Sequence, residues 1–181
     1  MKNKTKNLTV AAVCAALGTV VMYVGSLIEV LDLTTVFAAS ILVVFLQLEL
    51  GGPWPTLLWL TTSLLGFIFL PNRFCAFEYA FFGGLYPILK YWLEKLPRRL
   101  AYVLKFLAFN LLFSLVLGVS IWLFGIEELT LPVIGEITPT VYLLILLVLG
   151  NIVFVAYDVM ITRLIRLYFY KIRDKIQHIL K

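Results

Sequence analysis

"AYVLKFLAFNLLFSLVLGVSIWLFG", residues 101–125, decides the class of this chain. It runs for 25 residues with a single charge, Lys105, near its start. A helix needs about 20 apolar residues to cross ~30 Å of hydrocarbon. Backbone groups in lipid must be satisfied within the chain, so such a run reads as a helix. The whole sequence agrees with it. Of 181 residues, 62% are hydrophobic, and the mean hydropathy is +1.02. A soluble domain of this length cannot cover that much apolar surface.

Reading outward gives six such runs: roughly 8–28, 32–50, 54–70, 74–93, 101–125 and 138–162. The expectation is one domain over 1–181, an all-α membrane protein built as a compact bundle of six transmembrane helices. Residues 163–181, "RLIRLYFYKIRDKIQHILK", read as a basic cytoplasmic helical tail on the inner membrane surface. The first run reads as a span rather than a cleaved leader, because it is long and no small-x-small site closes it. The fourth holds Glu78 and Gly83-Gly84 and is the least like a plain anchor.

Charge sets the expected orientation. With six spans, both termini and the 94–100 loop share one side. Fourteen of the 15 basic residues fall there, and the other side has only Arg73 beside Glu29, Asp32, Glu127, Glu128 and Glu136. Positive residues stay cytoplasmic, so both termini are expected inside a cell membrane. The net charge of +5 is thereby a topology signal and gives no reason to expect nucleic acid.

No metal site or cofactor is expected. The two cysteines, Cys14 and Cys75, are far apart, and the single histidine, His178, lies in the tail. There is no phosphate-loop, GxSxG or HExxH pattern. Lone intramembrane carboxylates do not make an active site, so an enzyme is not expected.

The first run opens "NLTVAAVCAALG", residues 7–18. Ala12 and Ala16 share one helix face, and Ala11, Ala15 and Gly18 form a neighbouring stripe. Small residues let helix backbones approach in lipid. The spacing alone fits packing inside the bundle or docking of another protein.

The short basic N-terminus, "LTVAAVCAALGTVV" and six compact spans together resemble the substrate-binding S component of energy-coupling factor (ECF) transporters. "LGGPWPTLLW", residues 50–59, is loosely similar to the Gly/Pro break after the second helix of that family. The resemblance implies an Ala-x-x-x-Ala motif at Ala12 and Ala16, within a docking face that also takes in Ala11 and Ala15. It implies as partners a transmembrane T component with two ATPases beneath it, and capture of a vitamin-like small molecule. No motif names the substrate.

Ionisable residues inside a span are costly and mark function. The expected substrate site is Arg73, Phe77, Glu78, Tyr79 and Asn151, in the outer half under the 28–33 and 126–137 loops. Arg73 and Glu78 would hold polar groups, and the aromatic rings would stack. The plainer reading is an interfacial aromatic belt with a structurally paired glutamate. Asn110 and Asp158 reach similar depths on the fifth and sixth spans and are expected as an interhelical pair, with Lys105 a second partner for Asp158. The alternative to a transporter subunit is a small six-span scaffold of the cell envelope.

Overall fold

A computed structural model describes residues 2–28, 31–124 and 139–172. These residues are helices joined by short turns, with no strand among them. The helices are α1 (Lys2–Ser26), α2 (Asp32–Glu49), α3 (Trp54–Phe69), α4 (Arg73–Glu78), α5 (Leu85–Leu93), α6 (Arg98–Phe124) and α7 (Pro139–Leu167). A wide π turn, Tyr79–Gly83, joins α4 to α5, and another, Tyr168–Ile172, ends α7.

Four segments are long and apolar enough to cross a membrane: Lys4–Ser26, Asp32–Glu49, Arg98–Val119 and Thr140–Lys171. The α3 helix, with 16 residues, is shorter, and the π turn divides the fourth expected span. Residues 125–138, which hold one of the loops expected over the site, and 173–181 of the tail lie outside the described residues, as do 29–30.

Local chemistry sets the element boundaries. Gly51 and Gly52 both take positive φ, 59° and 56°, which a side chain resists, and they turn the chain from α2 into α3. Pro55 then sits in the first turn of α3, where its missing N–H costs nothing. Asn72 caps α4 by accepting from the Phe74 amide at 2.9 Å. Its Nδ2 donates to Asp32 and so ties the starts of α2 and α4 together.

The α2 helix is the hub, touching α1, α3, α4, α5, α7 and the first π turn. One core lies between α1, α2, α3 and α4, around Met22, Val36, Leu46, Leu58 and Tyr79. A second lies between α2, α5, α6 and α7, around Val44, Tyr86, Phe109, Phe154 and Ile161. The Tyr168 hydroxyl donates to Glu49 at 2.5 Å and pins the end of α7 to the end of α2. The outer faces carry exposed Leu64, Ile68, Leu111, Val148 and Ile152. A hydrocarbon solvent leaves such an apolar exterior without penalty.

Candidate functional site

The wide turn at Tyr79–Gly83 positions the site. In an α-helix, residues four apart drift round the axis by ~40° at each step, given 3.6 residues per turn. A π turn takes an extra residue and cancels part of that drift. Phe74, Glu78, Phe82 and Tyr86 therefore stay on one face across the break, and all four line one cavity. The break is held from outside the helix. Trp59 on α3 donates its indole N–H to the Ala80 carbonyl at 2.8 Å. Gly83 lets α2 come close: a Cβ there would lie 2.6 Å from Cγ1 of Val36 and 3.1 Å from its carbonyl oxygen.

The cavity has a volume of about 310 Å³ and is bounded by α2, α6 and α7 opposite this ridge. Its walls are aromatic. Phe37 stacks on Tyr157 with centroids 4.3 Å apart, and Phe109 stacks on Phe154 at the same separation. Phe82 tilts over Phe109 at 5.4 Å. Glu78 is the one charged residue of the lining among the described residues. Its Oε2 is buried and makes no hydrogen bond with any described residue.

Farther along the same ridge, Lys90 and Glu94 continue the four-residue step into an ionic network. Asp158 on α7 accepts from Tyr86 at 2.6 Å, from Lys90, and from Lys105 on α6 at 3.2 Å. Lys90 also donates to Oγ1 of Thr162 at 2.8 Å, and Glu94 receives Lys105 at 2.7 Å and Lys90 at 3.0 Å. Lys90 is 2% exposed and Lys105 5%. Buried charges persist only when paired, and here two cations meet two carboxylates. A second cavity, about 340 Å³ between α6 and α7, borders this network and the exposed Arg163 and Arg166.

The structure redistributes the residues expected at the site. Glu78 lines the cavity. Arg73 is exposed at the start of α4 and makes no ion pair with Glu78. Phe77 turns toward α3 and meets Phe67 edge-on at 4.9 Å. Tyr79 is buried in the first core, on the far side of the ridge. Asn151 is engaged elsewhere: it exchanges two 3.0 Å hydrogen bonds with Asn110.

The expected Asn110–Asp158 pair is thereby corrected. The antiparallel register of α6 and α7 sets amide against amide and carboxylate against lysine, which satisfies both kinds of group. Lys90, one of the fourteen basic residues that the sequence assigns to the inner side, is in fact buried. Phe37, Phe109, Phe154 and Tyr157 were not foreseen as walls. The four-residue recurrence of Glu78, Phe82, Tyr86, Lys90 and Glu94 is the signal that could have found the ridge.

The two alanine stripes part company. Ala11 and Ala15 are 6% and 2% exposed and pack inside the bundle. Ala12 and Ala16 are exposed. No metal-binding cluster of His, Cys, Asp or Glu occurs among the described residues. Comparison of the chain with family models, curated proteins and solved structures returned no match.

Proposed function

We propose that this chain is the substrate-binding S component of an ECF-type transporter: a six-span cell-membrane subunit with both termini cytoplasmic. It captures a vitamin-like molecule outside and releases it inward through a T component driven by two ATPases. The observation that carries this reading is the aromatic cavity lined by one carboxylate, Glu78, whose Oε2 is buried and has no hydrogen-bond partner among the described residues. Small-molecule sites are apolar concavities with a few placed polar groups, and about 300 Å³ is at the lower end of their size range.

Two further features support it. The first helix leaves Ala12 and Ala16 open on an otherwise apolar exterior, where a partner helix could approach closely. Fourteen of 15 basic residues lie on the side assigned to the cytoplasm. In this orientation Glu78 lies in the outer half and the Lys90–Asp158 network in the inner half, so the cavity faces the supply and the ionic network closes the inward path.

The test is identification of whatever small molecule is released on denaturing protein purified in detergent. A stoichiometric compound, lost in Glu78→Ala, is the expected result. Reporters fused after Lys181 and between Pro97 and Arg98 should both read cytoplasmic, and an outside signal at either position would contradict the six-span reading.

A further inference from the structure

Resting on the reading that this cavity takes a small molecule, we infer that its ligand is an organic cation: a flat aromatic body bearing a positive charge that meets Glu78. Among the described residues the lining contains one charge-bearing acid or base group, the Glu78 carboxyl. No described residue neutralises it. Lys90 and Lys105 are held by Asp158 and Glu94, and Arg73 is exposed and makes no ion pair with Glu78.

A carboxylate whose oxygen is buried without a partner is disfavoured as an ion, and a cation brought against it restores the charged form within a pair. An anionic ligand supplies no such partner and adds repulsion.

The walls select in the same direction. The faces of aromatic rings carry negative potential and attract cations. The stacked pairs Phe37–Tyr157 and Phe109–Phe154 both belong to the lining. Their flatness suits a planar body, and the volume of about 310 Å³ suits one or two fused rings. Of the lining hydroxyls, Tyr86 is engaged with Asp158 and Tyr157 with the Gly83 carbonyl at 3.3 Å. Tyr142 adds a neutral hydroxyl to the lining, so charge recognition among the described residues falls on Glu78.

Three probes of similar shape test this on the full-length protein in detergent: N-methylquinolinium, neutral quinoline and the anion naphthoate, measured by equilibrium dialysis. The wild type should bind the cation about tenfold or more tighter than quinoline, the scale of a charge-assisted contact, with naphthoate weakest. Glu78→Gln keeps the shape and removes the charge. It should bring the cation down to the level of quinoline and leave quinoline nearly unchanged. The comparison of probes on the wild type stands even where the variant folds poorly.

A cation bound no tighter than quinoline, a preference that survives Glu78→Gln, naphthoate bound tightest, or no binding of any probe overturns the inference. Failure of the transporter reading is seen separately. If the charge preference is present but no T component or ATPase co-purifies, the cavity assignment stands and the transporter assignment falls.

Discussion

Tyr86 faces the cavity with its ring and donates its hydroxyl to Asp158 at 2.6 Å, so one side chain is both the floor of the cavity and a member of the ionic network. Tyr86→Phe keeps the ring and removes the donor. Loss of a hydrogen bond to a charged group costs roughly 1.5–3 kcal/mol. The variant should melt at a lower temperature in detergent, with ligand affinity within about threefold because the ring remains. An unchanged melting temperature would take Tyr86 out of the network.

Removal of the central carboxylate should be far more damaging. Asp158→Ala leaves Lys90 buried without its main partner, and breaking a buried pair costs about 3–5 kcal/mol. Replacing both, as Lys90→Met with Asp158→Leu, leaves Lys105 with Glu94 and should recover most of the loss. Thermal melts of the two variants check this. A double variant no better than Asp158→Ala would show that the two residues are not coupled.

Asn110 and Asn151 are assigned to helix association rather than to the ligand. Asn110→Ala and Asn151→Ala should each lower stability by ~0.5–2 kcal/mol, and the double variant should cost less than the sum, because one interaction is lost in all three. Ligand affinity should stay within about threefold. A selective loss of binding in Asn151→Ala would return that residue to the site.

The first helix offers a sharper contrast. Ala11→Trp and Ala15→Trp place an indole in a packed core and should prevent folding or greatly lower yield. Ala12→Trp and Ala16→Trp add it to an exposed face and should fold and bind ligand, yet fail to assemble with the T component. Size-exclusion profiles and co-purification separate the outcomes. Normal assembly of both exposed variants would remove that face from docking.

Much of this fold was legible because lipid imposes a coarse rule, that long apolar runs become helices. The runs at 8–28, 32–50, 54–70, 101–125 and 138–162 have helices at those places. Gly51, Gly52 and Pro55 mark the one sharp turn the sequence shows plainly.

The site was less legible, for two physical reasons. First, a charged residue near the end of an apolar run reads as a surface charge, and only packing reveals that Lys90 is buried with Asp158. Second, depth arguments place residues along a helix but not around it. Arg73, Phe77 and Tyr79 surround Glu78 in sequence and point elsewhere, because the π turn keeps residues four apart on one face. Ala11 and Ala12 differ by one residue, a ~100° step round the helix, and so one is core and the other surface.

The most direct test of the central claim is native mass spectrometry of the protein purified gently from its own membranes. The account predicts an assembly of this 20.6 kDa chain with one larger membrane subunit and two ATPases, the chain itself carrying a small molecule. It further predicts that Ala12→Trp dissolves the assembly while the isolated chain keeps its ligand. A chain recovered alone, empty, and unaffected by that substitution would contradict the account and leave a scaffold in its place.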